Sequence, residues 1–225
     1  MNKHPILPNI KTPPSLKEMA FQAIKESILA HRLESGAVYS EQAIAKEFGI
    51  SKTPVHQALS DLETRGFVTV LPRKGFRVNV LKEKDIQDMF DYRDALERAV
   101  IFHVTPQMTD RSIKAIESLN AQAAMTSDRI HFLKFDRGFH RYLTSLTQNQ
   151  YIITALENIW DLCDWVGGEI FHLKNRPEEA VREHVAVAEM LKKRDAQGAA
   201  EAMTEHLRIT EMRFHQLMSN KDPKT

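Results

Sequence analysis

A single cysteine, Cys163, occurs in the 225 residues, so no intramolecular disulfide can form and a reducing compartment suits the chain. No apolar run approaches the roughly 20 residues that a membrane span requires. Met1 is not followed by a basic segment and an apolar core, so nothing argues for export and a cytoplasmic protein is expected. Internal repeats and low-complexity tracts are also missing. Net charge is close to absent, at +1.

That small charge conceals an asymmetry. Residues 1–80 hold eleven Lys and Arg against seven Asp and Glu, whereas residues 81–225 hold twenty against twenty-three. The length leaves room for two modest domains, each with its own core. The first 14 residues carry several prolines and no apolar periodicity, which predicts a mobile arm. Residues 15–80 then form the basic domain and 81–225 an all-helical one. Ser15 to His31 reads as an amphipathic helix with Leu16, Met19, Ala20, Ala23, Ile24 and Ile28 on one face.

Ser40 to Arg77 is the most informative stretch. Ser40 can cap a helix, with Glu41 near its positive end. Gly49 supplies the left-handed residue that stops that helix, and Ser51 or Thr53 caps the next. Pro54 lacks an N–H and fits only a first turn, so the second helix starts between Ser51 and Pro54. Val55, Leu59 and Leu62 form its inner face, leaving Lys52, Thr53, His56, Gln57 and Ser60 outward, as on a helix that enters the major groove. Two alternating runs, Val68–Val70 and Phe76–Val80, flank Leu71-Pro72-Arg73-Lys74-Gly75, a turn with a basic tip. Such a wing lays Arg73 and Lys74, with Gly75 behind them, against phosphates or into the minor groove. Arg32, just after the first helix, is placed to reach a phosphate or to remain a solvated charge.

Leu33 to Val78, with the core SEQAIAKEFGISKTPVHQALSDLETRGFV and the wing PRKGFRV, resembles the N-terminal domain of the GntR family of bacterial transcription regulators. The resemblance implies a winged helix-turn-helix and a double-stranded DNA partner. In that family the positions of Lys52 and His56 are commonly arginines that contact DNA. A neutral imidazole at His56 cannot make the bidentate arginine contact to guanine, so the operator differs there or the contact is weaker.

Beyond Lys82 strands disappear. Helical periodicity predicts Glu83–His103, Asp110–Thr126, Arg129–Thr147, Gln150–Leu173, Pro177–Arg194 and Asp195–Ser219, an antiparallel bundle. The whole chain is therefore mainly α, a winged helix-turn-helix followed by a helical bundle. Asp136 and His140 lie one turn apart on a face marked by Phe132, Phe135, Phe139 and Leu143, the arrangement a chelating pair needs. His184 falls in the stripe Val181, Val185, Ala188, Leu191, and His206 in Met203, Leu207, Thr210, Phe214. Any one of these histidines fits a hydrogen-bonded core; the set of three imidazoles and a carboxylate is costly to bury unless hydrogen-bonded or metal-bound, and a divalent ion satisfies all four at once.

Residues 85–217 resemble the FCD ligand-binding domain of the FadR-type branch of that family, where Asp-x-x-x-His on one helix and histidines on two later helices bind a metal, often zinc or nickel. The resemblance places the ligands at Asp136, His140, His184 and His206. It also places Arg93, in FDYRDALE, where an arginine is often directed at the ligand cavity; the same side chain can instead pair with Glu97 one turn on. The function this implies is a regulator, expected to be a repressor, that binds a two-fold symmetric operator as a homodimer and responds to a small carboxylate. Two alternatives stay open: a regulator whose effector is the metal itself, and a metal-dependent enzyme using the Asp/His site.

Overall fold

The computed structural model describes residues 13–221; the predicted mobile arm falls almost wholly outside the described residues. The chain divides at Val80 and Leu81 into two compact units.

The first unit opens with α1 (Leu16–Leu29), started by a capping box in which the Ser15 Oγ accepts from the Glu18 amide while the Glu18 carboxylate accepts from the Ser15 amide. Its buried residues are Ala20, Phe21, Ile24 and Ile28. Leu16 and Met19, expected inward, are exposed, because the helix turns Phe21 rather than its first turn to the core. β1 (Val38–Tyr39) precedes α2 (Glu41–Phe48), which Ser40 caps and Gly49 ends at φ 67°. α3 (Lys52–Thr64) follows, with Ser51 at its cap position but no bond from the Ser51 side chain. β2 (Val68–Leu71) and β3 (Gly75–Val78) form the wing, and the antiparallel sheet order is β1-β3-β2. β1 pairs Val38 with Arg77 and Tyr39 with Phe76. Two residues are too short to show an alternation, so this strand has no signature in the sequence. Ile24, Val55, Leu59, Leu62, Phe67 and Phe76 are fully buried beneath the sheet and helices. Gly75 is required by close approach: a Cβ there would meet the Tyr39 carbonyl oxygen at 2.0 Å, at φ +108°.

The second unit contains α4 (Glu83–Val104), a 3₁₀ turn at Thr105–Gln107, α5 (Asp110–Ala124), α6 (Arg129–Leu146), α7 (Gln150–Ile170), α8 (Arg176–Lys192) and α9 (Ala196–Lys221). Side-chain oxygens of Thr109, Asp128 and Asn149 cap α5, α6 and α7. α7 stops three residues before the predicted Leu173, and the chain turns through Asn175 at φ 64°, which lets Pro177 take a first-turn position in α8. Ile101, Ile116, Phe139, Leu143, Leu156 and Leu191 form one fully buried cluster, and Ile86, Val166 and Phe214 anchor a second. Val185, placed inward by the predicted stripe, is exposed; α8 instead buries Ala180, His184, Val187, Ala188 and Leu191. No helix among the described residues is long and apolar enough to cross a membrane.

Candidate functional site

On α3 the buried positions Val55, Ala58, Leu59 and Leu62 turn Lys52, Thr53, His56 and Gln57 to solvent. Arg32, Arg73 and Lys74 are likewise exposed, the last two at the wing tip between β2 and β3. Glu41, at the start of α2, is nearly buried and was read in the sequence only as a charge near the positive end of that helix. Its carboxylate forms an ion pair with Lys52 Nζ at 3.1 Å and faces His56 Nδ1 at 3.2 Å, so one carboxylate restrains two side chains of the outward face. Burial alone would push the Glu41 carboxyl up, but the bonds to His56 and Lys52 outweigh it and hold the group below its ordinary value. Only its helix-end position could be read from the sequence, since its partners lie a helix away.

In the second unit α6, α8 and α9 bring together Asp136, His140, His184 and His206, whose potential ligand atoms all lie within 4.8 Å of one another. The three imidazoles are 1 to 2% exposed and Asp136 is half-buried. Phe139 stacks on His184 with ring centroids 4.1 Å apart. His140 Nδ1 meets Glu97 Oε2 at 2.6 Å, and His206 Nδ1 meets Glu183 Oε2 at 2.7 Å. A carboxylate can only accept, so each Nδ1 carries a proton, and in the neutral ring Nε2 keeps a lone pair. His140 Nε2 is buried without a partner, while His184 Nε2 and His206 Nε2 face each other at 3.3 Å. Burial, followed by the neighbouring imidazoles, pushes the proton affinity of His184 well below the ordinary histidine value. Burial also lowers that of His206, against the opposing bond to Glu183. Neutral imidazoles with inward lone pairs, one of them orphaned, beside a carboxylate are the donor set of a borderline divalent ion, so the residues fit a metal.

Glu97 and Glu183 each serve a second partner. Arg93 Nε donates to Glu97 Oε1 at 2.5 Å, and Arg176 Nη1 donates to Glu183 Oε1 at 2.8 Å, which gives two buried Arg–Glu–His chains ending at the cluster. Arg93 is thus both the partner of Glu97 and part of the wall of a cavity of about 40 Å³ beside the histidines. The sequence named Glu97 only as a partner one turn from Arg93, a pairing the structure contains, while its bond to His140 and the whole of Glu183 were missed because each looks like an ordinary helix-surface charge.

Residues 16–78 match the bacterial regulatory proteins of the gntR family, and residues 88–209 match the FCD domain. The chain belongs to the GntR family. As a GntR regulator with an FCD ligand-binding domain it is a DNA-binding transcription regulator and not an enzyme. It is similar to the HTH-type transcriptional repressor RspR of Escherichia coli (strain K12), 25% identical over 195 residues that cover 85% of this chain and 86% of that one. It is also similar to the uncharacterized HTH-type transcriptional regulator YdfH of Escherichia coli O6:H1, 26% identical over 199 residues, 87% of each chain. Among solved structures E. coli McbR/YncC shares the fold, with a TM-score of 0.75 at 18% identity over 91% of this chain and 99% of that one.

Proposed function

We propose that this GntR regulator is a cytoplasmic homodimeric repressor whose FCD domain holds a divalent metal, zinc or nickel, and a small carboxylate effector. The observation that carries the reading is the cluster itself: four ligand atoms within 4.8 Å, with Glu97 and Glu183 fixing two imidazoles so that their lone pairs face the centre. Asp136, His140, His184 and His206 hold the ion, which when bound supplies a positive centre for a carboxylate in the adjoining cavity. Arg93 lines that cavity from α4, the helix that follows the winged unit directly in the chain, so an anion drawn toward its guanidinium competes with Glu97 and acts on α4. Lys52, Thr53, His56 and Gln57 present donors and acceptors to the major groove, Ser51 sits at the helix start near the phosphates, and Arg32, Arg73, Lys74 and Gly75 meet the backbone. The name of RspR supports repression as the sign of regulation. A small carboxylate, rather than the metal alone, is favoured as effector by a cavity that abuts the cluster and contains arginine.

The test is elemental analysis of the purified protein and of His140→Ala and His184→Ala. Metal should be present near one equivalent per chain in the parent and drop sharply in both variants, while DNA binding by the winged unit survives without effector control. Full occupancy in both variants would remove the site.

A further inference from the structure

Behind the outward face of α3 stands a carboxylate. Glu41 is only 6% exposed, and from the first turn of α2 it sets its two oxygens against two different side chains of α3. Oε1 faces His56 Nδ1 at 3.2 Å, and Oε2 pairs with Lys52 Nζ at 3.1 Å. The anchor is buried while what it holds is not, since the His56 and Lys52 side chains are 59% and 58% exposed. Val55, Ala58 and Leu59 are fully buried on the opposite side of α3, which fixes the face that the helix turns toward Glu41.

An imidazole alone is ambiguous as a reader of bases, because either ring nitrogen is a donor in one neutral tautomer and an acceptor in the other. A partner on one nitrogen removes the ambiguity at the other. The Glu41 carboxylate can only accept, so it selects the tautomer with the proton on Nδ1, and in the neutral ring the lone pair falls to Nε2. Glu41 takes the Nδ1 edge of an exposed ring, which leaves the Nε2 edge to whatever lies over the outward face. In the major groove an acceptor is met by an exocyclic amine. Adenine N6 and cytosine N4 carry one, whereas guanine presents O6 and N7 and thymine presents O4, which would set lone pair against lone pair. Lys52 is different: an ammonium has only donors, so Glu41 governs how Lys52 is held and not what it can bind.

We propose that Glu41 is a positioning residue that determines DNA specificity: by holding the proton on His56 Nδ1 it makes Nε2 an acceptor, so the base that faces His56 in the operator is adenine or cytosine and not guanine. The inference rests on the reading that His56 enters the major groove, and adds which bases it takes and which residue sets that choice. An arginine at this position would donate to guanine; an imidazole backed by a buried carboxylate reverses the polarity of the contact.

The test is selection of binding sites from random DNA by the full-length protein, by His56→Arg and by Glu41→Gln, at about pH 8.5, above the range in which histidine ordinarily titrates. His56→Arg identifies the position that residue 56 reads, where it should turn the preference to guanine. At that position the parent should take adenine or cytosine over guanine by at least about fivefold, the lower end of what a base contact supplies. Glu41→Gln keeps the shape of the side chain, but its amide can donate to Nδ1 as well as accept from it, so both tautomers are served. Discrimination at that one position should then fall to about twofold or less, while the preferences at the other positions persist and show that the variant is folded. Guanine or thymine chosen by the parent at the position His56→Arg identifies, or no choice there, would overturn the acceptor. An adenine or cytosine preference that survives Glu41→Gln undiminished would overturn the role of Glu41, and so would a loss of preference spread over every position, which would make Glu41 a structural residue only. A His56→Arg profile identical to the parent's would instead take His56 out of the readout, overturning the underlying reading and this proposal with it.

Discussion

Glu97→Gln isolates the buried chain that ties α4 to the histidine cluster. The substitution keeps the shape of the side chain and removes its charge, leaving the Arg93 guanidinium, 5% exposed, without a countercharge and His140 Nδ1–H with a weaker acceptor. Burial alone would raise the Glu97 carboxyl, but Arg93 and then His140 hold it at about 2 against an ordinary 4.5. That difference corresponds to about 3 kcal/mol, and breaking a buried pair by removing one partner costs about 3 to 5 kcal/mol. Both routes predict a loss of about 3 kcal/mol in the metal-free protein. Trp160 and Trp165, the only tryptophans, both lie in α7, so urea unfolding followed by tryptophan emission reads the second unit alone. The sign with pH follows from the depressed value: the contribution is complete above the unfolded carboxyl's pKa, near 4.3, and disappears as pH falls toward 2. The parent should therefore lose its advantage over the variant across that window. Metal affinity, measured by chelator competition, should fall about 10- to 100-fold because the outer partner of His140 is altered. A variant as stable as the parent at pH 7, with unchanged metal affinity, would refute the role given to Glu97.

Other outcomes follow from the same structure. Gly75→Ala places a Cβ against the Tyr39 carbonyl in the left-handed region and should destabilise the winged unit by at least about 1 to 3 kcal/mol, read by DNA-binding loss on mild heating; an unchanged profile would contradict the close approach. Lys74→Ala should weaken binding to all DNA sequences alike and reduce the salt dependence, whereas His56→Ala should change base preference in a selection from random DNA. Preference left intact by the second substitution would take His56 out of the readout. Burial, with a smaller opposing effect of Arg93, pushes the Cys163 thiol up to about 11, so alkylation of the folded protein at pH 8 should be slow and become rapid in urea; rapid labelling of the folded form would show an accessible thiolate.

What could be read from the sequence depended on how far apart the partners lie along the chain. Asp136 and His140 sit one turn apart on one helix, so their shared face is visible as spacing. His184 and His206 were visible only through the apolar stripes around them. The stripe for His184 was rotated, because Val185 faces solvent. The Arg93–Glu97 pair was visible as one-turn spacing, but the bonds of Glu97 and Glu183 to His140 and His206 escaped because they span 43 and 23 residues, set by packing between helices that no local pattern encodes. Glu41 escaped for the same reason: its position at a helix start explains its charge, while its bonds to Lys52 and His56 depend on the angle between α2 and α3. Likewise Leu16 and Met19 fit an apolar face, but α1 has more apolar residues than its contact area requires, and tertiary packing selected Phe21 instead.

The central claim is that a carboxylate in the FCD domain controls the hold of the winged unit on DNA. A fluorescent duplex, recovered by the protein itself from a random pool, should be titrated with metal-loaded and metal-stripped protein, each with and without saturating amounts of a panel of small carboxylates. Metal-loaded protein should change its DNA affinity on adding an acid that binds it by about 5- to 150-fold, the range of typical coupling between two sites, and metal-stripped protein should not respond. A small carboxylate that binds the metal-loaded protein yet leaves DNA affinity unmoved would contradict the account.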